Sequence, residues 1–211
     1  MAARVRATGA STAYLAQGSL PALLPFLKSE FDLSYTMASA LVLAATFSSS
    51  LIQPAFGLWS DARGALWLLP AGVALAGAGM AAATVAPSYP LILLAVLAAG
   101  LGVAAYHPEG SKFASYASGS RRASGMSFFS VGGNVGFALG PVYASGLILA
   151  FGLHGGVFIA LPGFAVALGL AYMLRYLGGF DPGPSSQDVR YATESETRGL
   201  TLLLAVVGLR N

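Results

Sequence analysis

No cysteine occurs among the 211 residues, which excludes disulfide frameworks and thiolate metal sites. Charge is nearly as scarce: only 9% of residues are Asp, Glu, Lys or Arg, against roughly 25% in a soluble domain. The formal charge of +3 comes from basic residues scattered at segment ends, with no basic and aromatic patch, so a nucleic-acid surface is excluded. Histidine occurs twice. His107 stands two residues from Glu109, which puts the two on different helix faces, and His154 falls in a loop, so no metal site is expected. Alternation of apolar and polar residues is missing as well. The apolar runs are continuous, which argues against a membrane β-barrel.

What remains is an apolar, glycine-rich chain. It is 56% hydrophobic and holds 27 glycines and 11 prolines, a balance that suits membrane helices whose backbones approach closely. Read against the ~20 residues needed to cross a bilayer, the chain offers six spans, at about 8–27, 37–59, 66–86, 90–115, 123–149 and 155–177. The first could be mistaken for a signal peptide, since Arg4 and Arg6 precede it. Its length, its Pro21 and Pro25, and the comparable spans that follow favour a membrane helix. Residues 178–198 hold Pro182, Pro184, Asp188, Glu194 and Glu196 and read as a polar loop. A seventh span starts near 199 and stops at Asn211, as though the chain were the front half of something longer.

Orientation follows from the cations. With residues 1–7 in the cytoplasm, the inner loops carry Arg4, Arg6, Arg63, Arg121, Arg122, Arg175, Arg190 and Arg198, and the outer loops Lys28 alone. The expectation is an all-α, multi-pass protein of the plasma (inner) membrane with a cytoplasmic N-terminus.

The fourth span holds the most informative residues. His107-Pro108-Glu109-Gly110, with Lys112 after, interrupts an apolar run that begins near Leu91, and Glu109 is expected near the middle of the span. An ionisable group at the bilayer centre costs about 2.5–3.5 kcal/mol on insertion scales and marks an ion or substrate path. Glu109 and Lys112 lie at i,i+3 and can pair. That pairing has a bland reading, mutual neutralisation with Lys112 snorkelling to the surface, and a functional one, a carboxylate poised to load and release a proton. His107 divides in the same way between a buried imidazole bonding a backbone carbonyl and a substrate contact or proton relay.

Two further motifs stand out. The loop after the second span reads Gly57-Leu58-Trp59-Ser60-Asp61-Ala62-Arg63-Gly64. Gly57, Asp61 and Gly64 resemble the cytoplasmic signature of the major facilitator superfamily, although Ala65 and Leu66 occupy its usual basic pair. In the fifth span Gly132, Gly136 and Gly140 fall four apart, a close-packing stripe, and Pro141 frees the carbonyl of Phe137 and permits a bend. This resembles the glycine–proline motif of proton-coupled drug exporters in that superfamily. Gly100-Leu101-Gly102 and Gly110-Ser111-Lys112 mimic nucleotide-binding motifs, but no strand precedes them.

Taken together, His107-Pro108-Glu109, the Arg121-Arg122 turn, Ser127 to Asn134 and Leu139-Gly140-Pro141 resemble the fosmidomycin-resistance transporters. Leu20 to Pro25, Phe31 to Ser34 and Ser49 to Pro54 agree with this. The resemblance implies the N-terminal six-helix bundle of a fold of about twelve helices, working by alternating access between two halves. It implies a proton-coupled exporter of small drug-like or anionic molecules, fosmidomycin among them. Glu109 and His107 would couple protons; His107, Lys112, Asn134 and Gln53 would meet substrate. Gly57, Asp61, Arg63, Gly64, Gly136, Gly140 and Pro141 would gate. Family members carry a His and an Asp in the first span where this chain has Ala10 and Tyr14; if that Asp takes part in coupling, Glu109 must act without it here or coupling is lost. No cofactor is expected; the partners are protons, the small molecule, the bilayer, and a missing C-terminal half or a second copy. Two other readings remain open: a non-transporting scaffold half, and a membrane-embedded enzyme, which lacks a convincing nucleophile.

Overall fold

The computed structural model describes residues 2–63, 65–116, 118 and 122–177. The loop expected at 178–198 and the partial span at 199–211 lie outside them. The described residues form an all-α bundle: α1 (Ala2–Glu30), α2 (Tyr35–Ser50), α3 (Gln53–Arg63), α4 (Leu68–Val85), α5 (Tyr89–Tyr116), α6 (Arg122–Phe151) and α7 (Ala160–Leu177), with a 3-10 turn at Leu153–Ile159 leading into α7. Five stretches among the described residues are long and apolar enough to cross a membrane: Tyr35–Ser60, Leu68–Val85, Tyr89–Ser115, Ala123–Phe151 and Leu153–Leu174.

The second span, expected as one helix, is two. The chain turns at Leu51 and Ile52 between α2 and α3. Pro54 has no N–H to give the carbonyl of Ser50, and its ring would crowd that carbonyl. Ser50 is accordingly the last residue of α2, and Pro54 falls in the first turn of α3, where its missing donor costs nothing.

The first helix departs from expectation in another way. At 29 residues it is long enough, about 43 Å at 1.5 Å per residue, yet it is not among the five apolar stretches. Its polar side chains turn inward and bond its neighbours. Ser11 donates to the carbonyl of Gly132 at 2.8 Å, Gln17 to Ser49 at 3.1 Å, and Ser19 to the carbonyl of Gly140 at 3.2 Å. Ala10, Ala13, Ala16, Leu20, Leu23 and Leu27 form a buried stripe at helical spacing, while Pro21 and Pro25 face outward. A helix enclosed by protein on its polar side need not be uniformly apolar.

α1 packs most extensively on α6, and α2 packs on α5. If spans one to three and four to six are repeats, these two pairs exchange under the swap, as an inverted three-helix repeat requires. Both pairs approach closely through small residues. A Cβ on Gly136 would sit 1.9 Å from the carbonyl oxygen of Ser11, and one on Gly100 would sit 1.8 Å from the hydroxyl of Ser48. Gly100 and Gly102, the nucleotide-motif mimics, are thus helix-packing residues.

Loop ends are fixed by backbone chemistry. The N–H of Leu33 bonds the carbonyl of Lys28 at 3.0 Å across a left-handed Asp32 (φ 49°), closing α1 in a Schellman-type cap. Two residues on, Ser34 caps α2 by accepting from the N–H of Met37 at 3.2 Å.

Candidate functional site

The sequence stripe that buries α5 runs Ile92, Val96, Ala99, Val103 and Tyr106. Its next turn brings Glu109 inward, leaving it 5% exposed. Glu109 lies seven residues before the end of α5 at Tyr116, about 10 Å along the axis. It therefore lies about midway between the centre of the helix and that end. One turn earlier Ala105 packs with Ala65, Leu68, Phe56 and Trp59, where α3, α4 and α5 meet.

Glu109 has its cation beside it. Lys112 Nζ stands 2.6 Å from Glu109 Oε1 and donates to the hydroxyl of Ser60, also at 2.6 Å. Ser60 is 3% exposed. The ammonium therefore ties the C-terminal part of α5 to α3. Gly57, three residues before Ser60 on the same face of α3, leaves room for Pro108, whose ring carbon lies 3.9 Å from where a Cβ would be. The two motifs read separately in the sequence, Gly57 with its loop and Pro108-Glu109 with Lys112, are one contact. The side chains of Asp61 and Arg63, and Gly64 altogether, lie outside the described residues.

A second cluster sits on the other side of Pro108. The hydroxyl of Tyr14 on α1 hydrogen-bonds Nδ1 of His107 on α5. The imidazole is held edge-on between the ring of Tyr14 (centroids 5.9 Å, 85°) and that of Phe129 on α6 (5.5 Å, 61°). Phe129 in turn stacks on Tyr106 at 6.2 Å. Tyr14, His107 and Phe129, with Ser130, Gly133 and Asn134, line a cavity of about 280 Å³. No acidic side chain is among its lining residues.

Of the four residues expected to meet substrate, the structure brings His107 and Asn134 to one cavity. Lys112 is engaged with Glu109 and Ser60, and Gln53 opens α3; neither lines that cavity. His107 bonds the Tyr14 side chain, where the bland reading had it bonding a backbone carbonyl. Tyr14 and Ser60 were not among the expected site residues. Tyr14 had been noted only as a departure from the resembled family, and no local pattern marks either residue, because each acquires its partner across helices.

Gly132, Gly136 and Gly140 form the seam against α1. A Cβ on Gly140 would lie 2.6 Å from the carbonyl oxygen of Leu15, and one on Gly18 of α1 would lie 2.3 Å from the carbonyl oxygen of Phe137. Pro141 follows directly on that seam.

The sequence model of the Major Facilitator Superfamily matches residues 7–208. Over 160 residues the chain is 34% identical to the fosmidomycin resistance protein of Escherichia coli (strain K12), a match covering 76% of this chain and 39% of that protein. Over 160 residues it is 32% identical to the uncharacterized MFS-type transporter YfnC of Bacillus subtilis (strain 168), with the same coverage. The match to YwoD of that organism, also an uncharacterized MFS-type transporter, is 29% over 133 residues, covering 63% of this chain and 29% of YwoD. The matched region thus spans about two fifths of the length of the first two relatives. No solved structure matches the chain.

Proposed function

Because the chain belongs to the major facilitator superfamily, we propose that it supplies the N-terminal half of a proton-coupled exporter. The exporter works by alternating access, in the plasma (inner) membrane with the N-terminus in the cytoplasm, and moves small drug-like or anionic molecules such as fosmidomycin. The observation that carries the reading is Glu109, a carboxylate 5% exposed within an apolar span and paired with a lysine that reaches the neighbouring helix. Protonation of Glu109 would remove the charge that holds Lys112. Lys112 also holds Ser60, so the state of the carboxylate would bear on how α3 sits against α5 beside Gly57. His107 joins the same helix to the cavity and serves as the second coupling group.

Substrate is proposed to enter the cavity between α1, α5 and α6, where His107 and Asn134 supply polar contacts. The glycine seam of Gly136 and Gly140 and the following Pro141 would let α6 shift against α1 during opening. The similarity to the fosmidomycin resistance protein supports an exported anion. The partner that completes the path is a second six-helix half. The exposed side of α6 suits one, since Phe128, Val131, Val135, Leu139 and Val142 stand beside the exposed Ser127, Ser130 and Asn134.

Vesicles carrying the chain together with its completing half test the reading. An imposed pH gradient is expected to drive fosmidomycin uphill with wild-type protein. Glu109→Gln is expected to abolish gradient-driven movement while leaving substrate exchange intact. Wild-type gradient-driven transport in Glu109→Gln would refute the coupling role.

A further inference from the structure

We propose that Tyr14 is a positioning residue that holds His107 with its ring proton on Nε2, so that the imidazole offers an N–H donor to acceptor oxygens of a ligand in the cavity. The inference rests on the cavity being the substrate site, and it adds the group that decides what the cavity offers.

Neutral imidazole has one donor nitrogen and one acceptor. The phenol of Tyr14 stands on Nδ1, and a phenol hydroxyl is a natural donor to an unprotonated ring nitrogen. With the phenol as donor, Nδ1 is the acceptor and the ring proton stands on Nε2. The same logic fixes metal-bound histidines, whose free nitrogen is set by the partner of the other. Edge-on contacts with Tyr14 and Phe129 restrain rotation of the ring. Tyr14 is itself seated by what α6 lacks. A Cβ on Gly133 would come within 3.1 Å of two atoms of its ring, so glycine there leaves the slot the ring fills.

The remainder of the lining agrees with an acceptor-rich ligand. The amide of Asn134 and the hydroxyl of Ser130 can both donate, and no carboxylate among the lining residues would repel oxygen lone pairs. At about 280 Å³ the cavity lies below the ~300–1,000 Å³ of pockets for drug-sized molecules, which favours a small group.

The test is nitrogen NMR of histidine-labelled protein in lipid bilayers at about pH 8, above the ordinary imidazole value of about 6.5. The chain has two histidines, and the exposed His154 is an internal reference. Couplings to the ring protons tell the two nitrogens apart. Wild-type His107 is expected to show a bare Nδ1 and a protonated Nε2. In Tyr14→Phe, which keeps the ring in its slot, the Nδ1-protonated form is expected to appear as at least a tenth of the population. Inorganic phosphate is expected to shift the Nε2 signal in the wild type and to bind at least threefold more weakly to the variant. Should Tyr14→Phe not fold, the tautomer of the wild type by itself still tests the proposal. A protonated Nδ1 in the wild type, an unchanged tautomer in Tyr14→Phe, or phosphate affinity insensitive to Tyr14 would each overturn the proposal. None of these readouts requires a proton gradient, so transport that ignores Glu109 would defeat the proposed function and leave this inference standing.

Discussion

Removing the charge of Glu109 while keeping its shape isolates the ion pair. In Glu109→Gln the amide can still accept from Lys112, but the ammonium, with a side chain 29% exposed, loses the carboxylate charge 2.6 Å away. Two unit charges about 4 Å apart attract by about 4 kcal/mol at an effective dielectric of 20. Breaking a buried pair by removing one partner costs about 3–5 kcal/mol. Lys112 is not fully enclosed, so water recovers part of that loss, and about 2–3 kcal/mol of destabilisation is the expected value after discounting for the exposed end of the pair. The double variant Glu109→Gln with Lys112→Met removes both charges of the pair and the bond to Ser60. It should therefore be more stable than Glu109→Gln alone by about 1–2 kcal/mol, since apolar replacement of both partners in a buried pair is often neutral or favourable. Reversible unfolding of the wild type, the two single variants and the double variant in mixed detergent micelles, followed by helix content, gives the four free energies of the cycle. Purely additive losses, with the double variant the least stable of the set, would refute a pair held by charge and with it the mechanism built on Glu109.

Other perturbations follow from the same contacts. Gly136→Ala would push a methyl to 1.9 Å from a backbone oxygen of α1, whereas a Cβ on Gly146 meets nothing within 4 Å. Gly136→Ala should lower stability by at least about 1–3 kcal/mol by overpacking, and Gly146→Ala should be neutral or gain up to about 1 kcal/mol in helix propensity, both read by thermal unfolding in detergent. Ser34→Ala removes the N-cap of α2 and should cost about 1 kcal/mol, visible as faster amide exchange in the first turn of α2. Gly152, at φ 72°, ends α6 with its N–H on the carbonyl of Ile148, and Gly152→Ala should cost about 1–2 kcal/mol for the left-handed backbone, measured in the same unfolding assay. Expressed without a completing half, the chain should dimerise through its mixed polar and apolar face on α6 or be degraded. A long-lived monomer in detergent by light scattering would contradict the role given to that face.

The length and apolarity of the second to sixth spans were legible because they depend on local composition alone; the first, polar on the side its neighbours cover, is the exception. The interruption of the second span had a signal, Pro54 after the run Ser48-Ser49-Ser50, since a proline acts on the carbonyl four residues before it. The i,i+3 pairing of Glu109 with Lys112 was legible for the same reason, because one helix turn sets it. The glycine stripe of α6 announced a close contact but not its partner. That the partner is α1, with Ser11, Leu15 and Gly18 against it, depends on how two helices far apart in the chain are rotated about their axes.

The amino-acid sequence, by its apolar runs, its helical periodicity and its few charges, determined that this chain is a bundle of membrane helices with a carboxylate turned into one of them. Which groups meet across the bundle was decided by tertiary structure. Tyr14 reaches His107 over 93 positions, and Lys112 reaches Ser60 over 52. The physical reason is range. Backbone hydrogen bonding fixes what lies within a turn or two of a residue, whereas a contact between helices requires the depth, rotation and spacing of both, and these follow only from packing the whole set of side chains together.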